Sequence, residues 1–233
     1  MPALGTKVPE PAATIRTTKG PERARRRRSY SDGMSGNRVG RPRAQDITED
    51  LLREAERVLA EDGFSALTVD GLVSRAGSTR PTFYRRFRSA AHLAVIVLAR
   101  RFGPGQAPDT GSLAGDLRAL QQEGIAVLSD PVARNSLVDL VGVARTDDDL
   151  SALLDAEFIR PRRVRVKNVI DAAVARREIE RPDMDADQVY DLLMGPLITR
   201  IFLPPHTLPD DALVESSLRS ALTRLGSNDA ARP

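Results

Sequence analysis

The stretch Thr68 to Phe87, TVDGLVSRAGSTRPTFYRRF, limits what this chain can fold into more than any other. It reads as two short helices around a tight corner. The first carries Val69, Leu72 and Val73, and Ala76-Gly77-Ser78 makes the corner. The second opens at Thr79, holds Pro81 in its first turn and runs through Phe83, Tyr84 and Phe87. Proline is tolerated there because first-turn amides have no partner within the helix. A short helix, a glycine corner and a second short helix form the helix-turn-helix layout, in which the second helix enters the DNA major groove.

The second helix divides into faces. At about 100° per residue, Phe83 and Phe87 share one side and must enter a core. Pro81, Thr82 and Arg85 fall opposite, with Tyr84 and Arg86 on the flanks. A helix in a groove needs this division, because central residues reach base edges while flanking donors reach the phosphate walls. From Gly71 to His92 there are five arginines and no carboxylate, so nothing local cancels the charge. The competing reading is an arginine-rich helix that only faces solvent.

Residues 51 to 93 resemble the DNA-binding region of the tetracycline-repressor (TetR) family. The agreement rests on Ala55, the EDGF turn from Glu61 to Phe64, Leu67-Thr68-Val69, Ala76-Gly77, Thr79, Thr82-Phe83-Tyr84, Phe87 and Leu93. Three positions depart from the family pattern. Ser78 stands where an apolar residue is usual. Gly71 replaces a better helix former at a cost of about 1 kcal/mol. Ala90-Ala91 stands where Lys-Glu is frequent, which removes one phosphate contact that Arg85, Arg86 and Arg88 are placed to replace. In the family the position of Thr68 contacts a phosphate, and a helix N-terminus is an anion site in its own right. Capping alone is its other reading.

The resemblance implies an all-α fold: an N-terminal three-helix DNA-binding domain over residues 46–92, then a helical ligand-sensing and dimerisation domain over 93–226. Residues 1–45 and 227–233 are expected to be disordered, because they lack the large apolar residues that offset ordering entropy. The first helix is expected from about Ile47 to Glu61, opened by an Asp46–Glu49 capping box and closed by Asp62-Gly63. Ala90 to about Arg101 connects head to body, and GPGQAPDTG, residues 103–111, is a loop. Beyond it, apolar residues at helical spacing predict segments from Leu113 to Leu128, from Val132 to about Arg145 and from Asp147-Asp148-Asp149 onward. Pro161 is expected to kink or restart that last one. The terminal pair, 186–202 and 210–225, has broad apolar faces. In the TetR family such a pair meets its copy as a four-helix bundle; an intramolecular core is the alternative.

Charge is unevenly placed. Residues 1 to 43 hold 11 Lys+Arg against 3 Asp+Glu, a balance of +8, and the remainder holds 24 against 29, a balance of −5. A basic arm on a mildly acidic body suits a selective DNA binder better than a uniform nucleic-acid coat. Arg25 to Arg28 invites polyanions. Arg38, Arg41 and Arg43 flank a Gly-Arg-Pro segment of the kind that enters an AT-rich minor groove. A non-specific solvated tail is the second reading, and Met34 as the true start is a third.

Catalytic and metal chemistry find no support. There is no cysteine, which excludes disulfides and thiolate metal sites and fits a reducing cytoplasm. No apolar run approaches the roughly 20 residues that span a bilayer. The two histidines, His92 and His206, form no metal-spaced pair and are expected to be surface or junction residues. No nucleophile elbow, phosphate loop or dinucleotide fingerprint occurs. Arg160 to Lys167 (RPRRVRVK) reads as a site for an acidic ligand or, preferably, as a solvated helix face.

The expectation is therefore a cofactor-free homodimeric regulator, a repressor bound to a palindromic operator in double-stranded DNA and released by a small-molecule effector whose site the sequence leaves unnamed. The DNA-contacting set is Thr68, Thr79, Arg80, Pro81, Thr82, Tyr84, Arg85, Arg86 and Arg88. Arg80, Pro81, Thr82 and Arg85 are assigned to bases, and Thr68, Tyr84 and Arg86 to phosphates. The rival from another class is a ligand-independent architectural DNA binder that relies on the basic arm.

Overall fold

The computed structural model describes residues 44–227, so the expected arm with Arg38, Arg41 and Arg43, and the chain beyond Ser227, lie outside the described residues. Among the described residues every regular element is helical: α1 (Ala44–Glu61), α2 (Val69–Arg75), α3 (Arg80–Tyr84), α4 (Ala90–Arg101), α5 (Leu113–Ser129), α6 (Pro131–Arg134), α7 (Leu137–Ala144), α8 (Asp148–Leu154), α9 (Arg160–Ala175), α10 (Ala186–Phe202) and α11 (Asp211–Arg224). None is long and apolar enough to cross a membrane.

The stripe read along α1 is buried, with Leu51, Ala55 and Leu59 fully inside and Val58 nearly so. Each such leucine contributes about 1.5–3 kcal/mol by leaving water. The helix starts at Ala44, two residues before the expected cap, so Asp46 sits in its first turn instead of opening it. Gly63, at φ +82°, turns the chain out of α1. That conformation is costly for any residue with a Cβ.

Several body segments differ from expectation. The segment after Asp130 is two helices, not one. At the break, Asn135 donates its side-chain amide to the Ala60 carbonyl at 3.0 Å and accepts Phe64 N–H at 3.1 Å, so the interruption ties α6 to the end of α1. With the helix broken there, Val141 turns outward beside Val138 and Val143 instead of joining a continuous apolar face. Ahead of Pro161 the chain widens into one π turn, Asp155–Ile159, where Arg160 N–H bonds Asp155 O. Proline has no N–H for the carbonyl four residues back and its ring crowds that carbonyl, so a wider turn accommodates it without ending the helix. Asp147 caps α8 by accepting Leu150 N–H at 2.9 Å, as its acidic cluster suggested.

The body core is a bundle in which α5, α9 and α11 pack on α10. Val189, Leu193, Leu197 and Ile201 of α10 and Leu218, Ala221 and Leu222 of α11 are buried within the single chain. Asp116, fully buried, is neutralised by Arg176 at 2.9 Å and accepts the Thr110 N–H and hydroxyl, which anchors the end of the 103–111 loop.

Candidate nucleic-acid interface

Each short helix of the head is held by a capping threonine. Thr68 Oγ1 accepts Gly71 N–H at 3.2 Å, and Thr79 Oγ1 accepts Thr82 N–H at 3.4 Å while its own hydroxyl donates to Thr82 Oγ1. Such caps contribute about 1 kcal/mol each. The weak helix former at 71 has a local reason: a Cβ there would lie 3.1 Å from Thr68 Oγ1 and crowd the cap. Gly77, at φ +57°, makes the corner, and Ser78 N–H closes it onto Val73 O at 2.8 Å.

The second helix is shorter than expected, ending at Tyr84, with Arg85 and Arg86 in a turn. Phe87 N–H still bonds Phe83 O at 2.9 Å, so the two phenylalanines stay on one face. Phe83 is fully buried and Phe87 nearly so. The Phe83 ring meets Tyr84 edge-on at 5.4 Å and Phe87 at 5.5 Å. Tyr84 itself is 55% exposed on the outer side.

The arginines are not equivalent. Arg80 forms a two-pronged pair with Asp70, the carboxylate one residue outside the carboxylate-free window, and Arg88 pairs with Asp149 of α8. No carboxylate within the window cancels this charge, as expected, but contacts from outside it bring in two. Hydrogen bonding from Arg80 holds Asp70 below the usual carboxylate range, so the pair persists as pH falls until that lowered value is reached. Both partners are exposed, and such a pair adds little stability. Arg86 is half-buried; it donates to Thr48 Oγ1 of α1 at 2.9 Å and to Thr82 O at 2.9 Å, and so braces the helix from within. Arg85 is exposed, and its guanidinium has no hydrogen bond or ion pair among the described residues. Thr68, Thr79, Pro81 and Tyr84 are exposed on the same segment, while Thr82 is half-buried under its cap bond. Direct groove readout needs an exposed donor behind which the helix is anchored in the core, and Arg85, unpartnered among the described residues beside the buried Phe83 and Phe87, meets that condition.

Sequence reasoning missed Asp70, Asp149 and Thr48 as partners; Asp70 alone was within local reach. His92, expected as a surface or junction residue, lies at the start of α4 with its ring buried and Nδ1 2.9 Å from Ser89 Oγ. His206 is exposed in the loop after α10. Among the described residues no group of three or more His, Cys, Asp or Glu is placed to hold a metal.

Comparison with known proteins agrees with this geometry. Residues 51–95 match the family model for bacterial regulatory proteins of the tetR family, and residues 107–220 match that for a tetracyclin repressor-like C-terminal domain. The HTH-type transcriptional regulator Rv1556 of Mycobacterium tuberculosis is 31% identical over 179 residues, covering 75% of this chain and 87% of its own. The chain belongs to the TetR family. The HTH-type regulator YdeS of Bacillus subtilis is 28% identical over 174 residues, covering 73% of this chain and 86% of its own length. A solved TetR family transcription regulator, SCO0332, superposes with a TM-score of 0.62 at 27% identity over 76% of this chain and 97% of that one. The protein is thus a helix-turn-helix DNA-binding transcriptional regulator, and α2 and α3 are its TetR motif.

One departure from the TetR pattern has a visible cost. The Ser78 hydroxyl oxygen is buried without a partner. A buried unsatisfied hydroxyl costs about 1–3 kcal/mol, part of which truncation recovers. Ser78→Ala is expected to stabilise the protein by about 1 kcal/mol, a rise in melting midpoint of roughly 2–4 °C. Calorimetry checks this, and a lowered midpoint contradicts it.

Proposed function

We propose that this TetR regulator acts in the cytoplasm as a homodimeric, effector-released repressor with no catalytic activity of its own. The observation that carries the reading is the outward side of α3 and the turn that ends it, where Arg85 stands without a partner among the described residues while Phe83 is buried behind it. In this reading Arg80, Pro81, Thr82 and Arg85 face bases. Thr68, Thr79, Tyr84 and Arg88 serve the phosphates, Arg88 after leaving Asp149. Arg86 acts chiefly by holding α3 against α1. One such helix reads too few bases for useful selectivity, so two copies on a palindrome are needed. The α10–α11 pair, 186–202 and 210–225, is the proposed dimer surface: Ile198 is 41% exposed although Leu197 and Ile201 beside it are core. Residues 46–92 then form the head and 93–226 the body.

A cavity of about 80 Å³ in the body supports the effector part. It lies among α5, α9 and α10, next to Phe102 at the end of the helix that leads to the head. A ligand that favours one head spacing shifts the population between DNA-competent and incompetent states.

Selection of genomic fragments by the full-length protein tests the reading. A two-fold-symmetric site with half-sites about one helical turn apart or somewhat more supports it. Fragments with no common sequence overturn it. The +8 balance of residues 1 to 43 favours the architectural alternative. Deleting residues 1 to 43 separates the two. Under the regulator reading, operator preference survives with weaker binding and a salt slope reduced by about one unit per lost phosphate contact. Under the alternative, binding largely vanishes.

A further inference from the structure

The basic segment RPRRVRVK is not the solvated face expected of it. Within α9, Arg160, Val164 and Lys167 face water, but Arg162, Arg163 and Arg165 are drawn inward and Val166 is buried. Arg162 and Arg165 both line the body cavity, whose remaining wall is largely apolar.

Arg162 is a half-buried cation with no ion pair of its own, and the carboxylate that acts on it across the cavity, Glu123, is already paired with Arg165. Its guanidinium donates to the carbonyls of Phe158 and Phe102 and lies 3.8 Å above the Phe158 ring centroid. No carboxylate among the described residues pairs with it. Burial lowers its pKa, the main cause being loss of water, which marks the charge as poorly compensated. Arg165 has a side chain only 11% exposed. Its two terminal nitrogens reach Glu123 at 2.6 Å and Gln106 O at 2.7 Å, while Nε is buried with no partner. A cation with no ion pair of its own and a second arginine with an unmet donor therefore line one cavity. Buried groups of this kind are costly unless something pairs with them.

We propose that the effector is a small amphipathic organic anion, with its carboxylate bound by Arg162 and its apolar part lodged against Leu120, Val127, Val166 and Met194. A planar guanidinium and a carboxylate match in a two-pronged, charge-assisted pair. The rigid space is about 80 Å³, so the ligand is a single ring or short chain. Met194, packed on Gly124, is the flexible wall that adapts to it. The site also has a route to the head. Phe102 caps the C-terminal end of α4, and Arg162 holds its carbonyl. A carboxylate competes with that carbonyl and frees the end of α4 from α9. The inference rests on the effector reading above and names the class of ligand for that cavity.

The test is calorimetric titration of the full-length protein, without DNA, by benzoate and hexanoate against their neutral amides, benzamide and hexanamide. At least about tenfold tighter binding of the acids is expected, in line with the strength of charge-assisted hydrogen bonds. Acetate and inorganic phosphate, which lack an apolar part, are expected to bind more weakly than either acid. Arg162→Gln is expected to bring acid and amide to parity. Equal affinities in the unaltered protein, no uptake of either acid at millimolar concentration, or an acid preference that survives Arg162→Gln overturns the proposal. The comparison in the unaltered protein stands even if Arg162→Gln does not fold. Binding to the selected operator is measured separately on the same preparation. Operator binding with no acid uptake defeats only the anion site. Acid preference without any DNA sequence preference upholds the site and defeats only the regulator reading.

Discussion

Phe83→Ala is expected to lower the unfolding free energy by about 3–5 kcal/mol, the usual cost of emptying a fully buried aromatic position. In a chain of this size that corresponds to a fall in melting midpoint of roughly 6–20 °C. The reason lies in how little else holds α3. The helix has five residues, far below the length at which a helix is stable in water on its own. Its cap bond from Thr82 N–H to Thr79 is long, at 3.4 Å. What fixes it is Phe83, with no exposed surface, packed against Phe87 and edge-on to Tyr84. DNA binding is expected to fail with the fold, because Arg85 is aimed only while α3 is docked. Phe83→Leu, which keeps most of the volume, is expected to lose much less. Circular dichroism on heating separates these results, and a melting midpoint for Phe83→Ala within a degree or so of the parent contradicts the packing argument.

The features that the sequence exposed are those set by near neighbours. Thr68 and Thr79 are caps because the amide they satisfy is three residues on. Phe83 and Phe87 share a face because helical spacing dictates it. The length of α3 was misjudged because periodicity continues through Phe87 although the helix stops at Tyr84. What stayed hidden depends on tertiary meetings. Arg80 finds Asp70 across the corner, Arg86 finds Thr48 on α1, and Arg88 finds Asp149 on α8. No local window brings all of these together, so the charge of the reading helix looked freer than it is. Arg162 and Arg165 are a second case. A long arginine side chain covers apolar surface with its stem as readily as it reaches water. Composition alone therefore did not say which arginines of RPRRVRVK turn inward, and the cavity they line left no mark in the sequence. The break at Asn135 was also unreadable, because the groups that reward it, Ala60 O at the end of α1 and Phe64 N–H just beyond it, are some seventy residues away in the chain.

These differences among the arginines lead to a ranked expectation for DNA binding. Arg85→Ala is expected to weaken binding to the selected operator by about 1–3 kcal/mol, or roughly 5–150-fold, and to relax preference at one base position in each half-site. Arg85 has no partner to leave among the described residues, so its whole interaction with a base edge counts toward binding. Arg80→Ala is expected to cost less, because Arg80 must first give up Asp70. Asp70→Asn tests that point. It keeps the shape of the pair but removes the charge, and is expected to strengthen binding to operator and to unrelated DNA alike. Titrations at each of several fixed ionic strengths, on the operator and on variants with single base-pair changes, read all three effects. A reading arginine shows a loss confined to one base position. A phosphate-bound arginine shows a uniform loss with a salt slope shallower by about one unit. Should Arg85→Ala give the uniform pattern, Arg85 is a backbone contact and base selection must come from the other exposed residues of α3.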